Sequence, residues 1–248
     1  MNNVGFISVD NSNDEIFRTL WLVSTRLLSL QKKYFMTIQK FIFNDFQENT
    51  LVISDDQKNC VIVDPGCYYP EERQELSNYI AQNELKPLAL LNTHCHIDHI
   101  LGNAWILKTY NIPFYMHEED IQTLNAVPNY APTYGFVGFE ASPQPTHLVN
   151  HGDILEFGDM RFEVLFTPGH APGHVVFYSA ENRVVINGDV LFKGSFGRFD
   201  LPNGDLPTLK KSITEIMFQL PENTVVYCGH GPETTIGQEK MTNPIWQY

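Results

Sequence analysis

The sequence predicts an α+β fold, a four-layer sandwich of helix, sheet, sheet and helix built from residues 36–248. Three observations predict it. Short apolar runs bounded by turn residues begin at residue 37 and begin again at residue 154, which gives two strand-rich halves. Helix-like stretches follow strands in both halves. Chemistry-bearing residues fall at strand ends, in T-H-C-H-I-D-H (93–99), T-P-G-H (167–170), N-G-D (187–189) and C-G-H-G (228–231), so one edge of the sandwich collects them.

Residues 1–35 read as an N-terminal extension outside the core. Their apolar stretch 16–30 is interrupted by Arg18 and Arg26 and falls short of the ~20 residues of a membrane span. Asp10, Asp14 and Glu15 precede it, where a signal peptide would be basic. From there the chain reads as strands at 37–43, 49–54 and 60–63, with a polar hairpin turn at 55–59. Asp64-Pro65-Gly66 ends the third strand, and 70–82 is an amphipathic helix with Leu76, Tyr79 and Ile80 on its apolar side. A buried strand at 88–91 delivers the first histidine motif, and a helix covers 100–110. A strand at 113–116 and a short helix at 117–124 follow. Residues 125–146 hold four prolines and several aromatics without periodicity, and predict a loop that serves as a lid or packs on the surface. The second half predicts strands at 154–157, 161–166, 175–179, 183–186 and 224–227, with a helix at 206–220.

Composition narrows the function. A formal charge of −13 with 16 Lys and Arg among 248 residues excludes a phosphate-backbone partner, because nucleic-acid affinity comes from clustered cations. No membrane partner is expected. Cys60, Cys67, Cys95 and Cys228 show no framework spacing and fit buried thiols in a reducing cytoplasm.

The motif at 93–99 carries the densest chemistry. Along an extended segment, alternation would point His94, His96 and Asp98 one way and Cys95 and Ile97 into the fold. His99, at the entry to a helix, would approach from another direction. Two donor sets in one loop suggest two metal ions. Imidazole and carboxylate donors suit zinc, iron or manganese, and no cysteine is present among them to narrow the choice; zinc is the first expectation.

The order of the four motifs resembles the metallo-β-lactamase superfamily over residues 36–248. Residues 188–200 (G-D-V-L-F-K-G-S-F-G-R-F-D) and 229–244 (G-H-G-P-E-T-T-I-G-Q-E-K-M-T-N-P) are most similar to its short glyoxalase II-like branch, the hydroxyacylglutathione hydrolases. The resemblance implies a metal-dependent thioester hydrolase acting through a hydroxide that bridges two metals. By the same resemblance His94, His96 and His170 hold one metal, Asp98, His99 and His230 the second, and Asp189 bridges them. Asp98, His96 and Asp189 are the implied catalytic residues. Asp64 resembles the position that hydrogen-bonds behind the metals.

His174 reads as a packing residue behind the ligands, because Pro172-Gly173 breaks any helix that would pair it with His170. His117, followed by Glu118, Glu119 and Asp120, reads as a helix cap. His147 and His151 lie in loop-like sequence without a motif. Arg198 is the candidate for gripping a substrate carboxylate, with an ion pair to Asp200 or Asp205 as the structural alternative. Tyr134 and Lys193 are further candidates for substrate contact. The expected partner is a small-molecule thioester, with a glutathione conjugate in view. The short tail after His230 lacks the helical domain that binds glutathione in longer members, which points to a smaller or different thiol. A persulfide dioxygenase using a single iron is the alternative activity, and a non-catalytic metal-binding domain the alternative class.

Overall fold

The computed structural model of the protein describes residues 35–248. The extension predicted for residues 1–35 lies, save Phe35, outside the described residues. Two six-stranded sheets form the frame. The first contains β1 (Met36–Phe43), β2 (Glu48–Asp55), β3 (Asn59–Val63), β4 (Lys86–Leu91), β5 (Phe114–His117) and β6 (His147–Val149), in that spatial order. β1 to β3 form the predicted antiparallel meander, while β3 to β6 run parallel. The crossovers are α1 (Pro70–Gln82), then α2 (Ile97–Ile100) with α3 (Asn103–Tyr110), then α4 (Ile121–Tyr130). α1 begins where the sequence requires: Pro70 needs no donor at the first position, and Glu72 accepts from the Tyr69 N–H at 3.0 Å.

The second sheet has the order β14-β13-β10-β9-β8-β7. Its strands are β7 (Ile154–Phe157), β8 (Met160–Phe166), β9 (Val175–Ser179), β10 (Val184–Gly188), β13 (Val225–Cys228) and β14 (Thr234–Thr235). A small hairpin, β11 (Leu191–Phe192) and β12 (Ser195–Phe196), leads towards α5 (Leu206–Lys211), and α6 (Ile236–Thr242) follows β14.

Alternation along the strands divides the core into three layers. In β3, Cys60 and Ile62 face the helices while Val61 and Val63 face the other sheet. In β9, Val175 and Phe177 meet the first sheet while Val176 and Tyr178 turn to the opposite outer layer. Both faces of the central strands are therefore buried, which is why they read as unbroken apolar runs. Each fully buried large side chain contributes about 1.5–3 kcal/mol. The predicted four-layer α+β sandwich is the observed architecture.

Several boundaries differ from the expectation. α4 runs to Tyr130 and a 3₁₀ turn continues through Ala131–Tyr134, so the front of the predicted 125–146 loop is helical. Pro128 lies near the helix end, where its missing N–H costs one bond, and burial of Leu124 and Val127 offsets it. The helix predicted at 100–110 is two pieces broken around Leu101 and Gly102. The one at 206–220 widens into a π turn at Ser212–Ile216 before a 3₁₀ turn at Met217–Gln219. His147, expected in a loop, pairs with Tyr115 in β6. Among the described residues no helix is long and apolar enough to cross a membrane.

Candidate metal centre

The four motif loops follow β4, β8, β10 and β13. β4 and β10 each run out into a ligand-bearing loop at one edge of the sandwich, and the loop after β13 joins them. The loops are tied across the two sheets. The Asn49 N–H bonds the Gly229 carbonyl at 2.7 Å, and its side-chain amide donates to the carbonyls of Cys228 and Gly231. The Gly229 N–H bonds the Gly188 carbonyl at 2.7 Å. Gly229 has to be glycine: a Cβ there would collide with the carboxylate of Asp189 and the ring of His99.

The alternating comb expected at 94–98 is only half right. The backbone is extended at His96, with φ −64° and ψ 154°, but α2 starts at the next residue. Asp98 therefore reaches the site from the first turn of a helix, and His99 from the same turn. Cys95 and Ile97 are buried, as alternation requires.

Six of the seven predicted ligands form two clusters. The first holds His94, His96 and His170, and the second Asp98, His99 and His230. His170 Nε2 lies 3.2 Å from His94 Nε2 and 2.9 Å from His96 Nδ1. In the second cluster His230 Nε2 is 3.1 Å, and His99 Nε2 3.6 Å, from Asp98 Oδ2. The seventh ligand, Asp189, lies between them. Its Oδ1 is 3.5 Å from His99 Nε2, and its Oδ2 is 3.5 Å from Nε2 of both His170 and His230.

The protons can be assigned from the far side of each ring. His170 Nδ1 donates to the Arg198 carbonyl at 2.7 Å, and His230 Nδ1 to the Phe46 carbonyl at 3.1 Å. His99 Nδ1 faces Asp64 Oδ2 at 3.2 Å. Thr93 Oγ1 donates to Asp64 Oδ2 at 2.6 Å, so it accepts from His94 Nδ1 at 3.1 Å. In its neutral form each of these four rings therefore turns an Nε2 lone pair into the site. Asp64 serves both clusters, directly through His99 and through Thr93 to His94, and its φ of +47° belongs to the left-handed region that aspartate tolerates. His174 is excluded as a ligand. Its Nε2 accepts the Asp189 N–H at 3.1 Å, its Nδ1 faces Thr167 Oγ1 at 3.3 Å, and its ring stacks on His94.

Electrostatics separates the clusters. Burial and the neighbouring rings drive His94 well below the ordinary histidine value, burial lowers His170, and His96 falls to about 3. Burial acts the same way on His99 and His230, but the facing carboxylates of Asp98 and Asp189 outweigh it and raise both. Burial would raise Asp98 and Asp189, yet the histidines hold both below the usual carboxylate range.

A divalent metal centre fits this donor set. His99 Nε2 and Asp189 Oδ1 are buried and have no hydrogen-bond partner among the described residues, which is costly unless something else binds them. Their 3.5 Å separation is too long for a hydrogen bond but close to the ~3.3 Å between two ligands of one tetrahedral ion at about 2.0–2.1 Å.

The predicted substrate residues lie apart from the donors. Arg198 pairs with Asp200 through two bonds of 2.8 and 2.9 Å, and both side chains are exposed; Asp205 instead caps α5. It is the backbone carbonyl of Arg198 that touches the site. Tyr134 is exposed beside Phe46 and Tyr130, and Lys193 is exposed at the turn of the β11–β12 hairpin. His117 caps the turn after β5 by accepting the Glu119 N–H at 3.2 Å.

Residues not singled out from the sequence also support the site. Glu48 is fully buried behind His99, with Oε1 3.9 Å from Nδ1 and Oε2 accepting from Thr50, and burial pushes its carboxyl well above the ordinary value. Thr93 relays Asp64 to His94, and Asp120 bonds the backbone between His94 and His96. A polar residue at a strand start or after a strand end is the only sequence signal for these, and turns share it.

Comparison with known proteins agrees with the geometry. The family model of the metallo-beta-lactamase superfamily matches residues 43–230. The hydroxyacylglutathione hydrolase GloC of Haemophilus influenzae is 36% identical over 211 residues, covering 85% of this chain and 98% of that protein. Among solved structures, the BLEG-1 B3 metallo-beta-lactamase superposes with a TM-score of 0.77 at 36% identity, over 86% of this chain and all of its own. TTHA1623 in a di-iron-bound form gives 0.74 at 36% identity, over 83% and 98%. By sequence and by fold alike, the chain belongs to the metallo-beta-lactamase superfamily, as an enzyme of its metal-dependent hydrolase kind.

Proposed function

We propose that the protein hydrolyses thioesters in the manner of a hydroxyacylglutathione hydrolase. His94, His96 and His170 hold one divalent ion, Asp98, His99 and His230 a second, and Asp189 lies between the two. The observation that carries this reading is Asp189, whose two oxygens stand at the same 3.5 Å from nitrogens of both clusters. Two bound divalent ions supply Lewis-acid chemistry, making a water acidic near neutral pH and polarising a carbonyl. Zinc is the first expectation; the di-iron neighbour supports iron as the alternative, and manganese suits the same donors.

The chain's own groups do the rest. Asp64, Thr93 and the carbonyls of Phe46 and Arg198 fix the imidazole tautomers before substrate arrives. Asp98, partly exposed at the mouth beside His230, orients a water and accepts its proton. A thiolate leaves without a strong acid, since a thiol has a pKa of about 8.5, far below an alcohol. The thioester class is supported by the likeness to GloC, and the carrier is glutathione or a smaller thiol. Residues 36–248 constitute the hydrolase domain and residues 1–35 a dispensable extension, in a protein of the reducing cytoplasm whose four cysteines are free and buried. A deletion of residues 1–35 that cost activity or lowered the melting temperature would refute the domain assignment.

A persulfide dioxygenase with a single iron is the competing activity. The complete second donor set weighs against it. Purified protein with measured metal content, assayed on S-lactoylglutathione and on glutathione persulfide, separates them. Two ions with thioester turnover are expected; one iron with oxygen uptake on the persulfide would replace this reading with the other.

A further inference from the structure

Asp120 has no part in the chemistry above, yet it is fully buried beside the site. It ends the 3₁₀ turn Glu118–Asp120 that follows β5. One carboxylate oxygen accepts the Cys95 N–H at 2.6 Å. The other accepts the Gly173 N–H at 3.0 Å and the Thr123 hydroxyl at 3.2 Å. Cys95 is the residue between His94 and His96, in the loop that follows β4 of the first sheet. Gly173 lies in the loop that carries His170, between β8 and β9 of the second. A single side chain therefore spans the two sheets and holds the backbone of both histidine loops. The approach is close enough that a Cβ on Gly173 would collide with the backbone nitrogen and Cβ of Asp120.

We propose that Asp120 is the positioning residue of the three-histidine metal site, setting the separation of His94 and His96 from His170 through the two backbone amides. Asp64 works through the rings of His94 and His99, whereas Asp120 works through the chain that carries them. Its bonds lie nearest the three histidines. Cys95 sits between His94 and His96 and Gly173 lies in the loop of His170, whereas Asp98 and His99, on the same loop as Cys95, stand further along it in α2, and no bond goes to the loop of His230 or to Asp189. Burying a carboxylate is expensive unless it is bonded, and here two amides and a hydroxyl satisfy it. An amide side chain cannot do the same, because one of its two positions becomes a donor facing an N–H.

The inference rests on the ligand assignment proposed above, and Asp120→Asn tests it. Zinc and cobalt(II) affinities are measured by chelator competition, with the cobalt(II) visible spectrum and the melting temperature of the metal-free protein alongside. Wild-type protein is expected to bind two ions. The variant should lose about ten- to a hundredfold in affinity for one of them. Its cobalt spectrum should change while its metal-free melting temperature shows a folded protein. Wild-type protein binding no metal would sink the functional reading itself. Wild-type protein binding two ions with Asp120→Asn binding both at unchanged affinity would overturn only the role of Asp120, as would an equal loss of both ions. Gly173→Ala pushes on the same contact from the other side and should weaken the same ion. If neither variant folds, Asp120 is a folding residue and the positioning role is wrong.

Discussion

His94, His96 and His170 form a pocket of imidazoles, while Asp98, His99 and His230 mix imidazole with carboxylate, and the two clusters treat protons in opposite ways. Burial depresses His94 and His170 and takes His96 to about 3. His99 is as deeply buried as His94, yet Asp98 and Asp189 raise it. Depth alone therefore does not decide the charge of a buried histidine; the facing carboxylates do. One half of the centre is ready at neutral pH as three lone pairs, and the other exchanges a proton for its cation.

Removing one donor from the imidazole half should have the largest effect. His96→Ala is expected to reduce turnover to background and to release an ion, read by metal analysis; a fully active variant would refute the assignment. Next comes the residue that joins the halves. Asp64→Ala should weaken both ions by about ten- to a hundredfold, whereas Thr93→Val should weaken only the ion held by His94, as chelator titrations would report. If Thr93→Val left the ion held by His94 unchanged, the relay through Thr93 would be wrong; if Asp64→Ala weakened only that ion, the direct role of Asp64 at His99 would be.

The proton contrast predicts an order of metal loss. His99 and His230 are raised, so protons compete for their cluster at higher pH, while His96 at about 3 does not compete. Dialysis from pH 8 down to pH 5.5 should release the Asp98-His99-His230 ion first, and release of the other ion first would break the comparison. Metal-free protein carries the same signs. The raised histidines contribute stability that is fully present below the unfolded value of about 6.5 and is lost as pH rises through their folded values. The depressed His96 acts in reverse, costing stability as pH falls from about 6.5 towards 3. The melting temperature of the metal-free protein should therefore fall on both sides of neutrality. The smallest effect is expected from Arg198→Ala. Among the described residues its exposed side chain pairs with Asp200, and its carbonyl survives the substitution, so metal content and melting temperature should not change.

Much of this was legible in the residues. The longer strands of both sheets follow from short apolar runs bounded by turn residues, whereas β6 and β14 do not, and α1 is bounded as expected by Pro70 at one end and loss of periodicity at the other. The comb at 94–98 failed in part because a helix starts at Ile97, where the sequence offers no proline or glycine to mark the change. The loop expected at 125–146 starts later than its prolines suggest, because the helix continues through Pro128 and burial of Leu124 and Val127 holds it together.

The sequence by itself determined the residue types of the metal centre, their order along the chain, and the two-sheet frame, because donors, strand period and turn signals are local properties. Tertiary structure decided which atoms meet. The Arg198 carbonyl fixes His170, the Phe46 carbonyl fixes His230, and Asp120 joins Cys95 to Gly173, 78 residues further along. The Phe46 and Asp120 contacts cross between the sheets and the Arg198 contact joins two loops of the second half, and a backbone carbonyl or amide carries no side-chain signature from which its partner could be read.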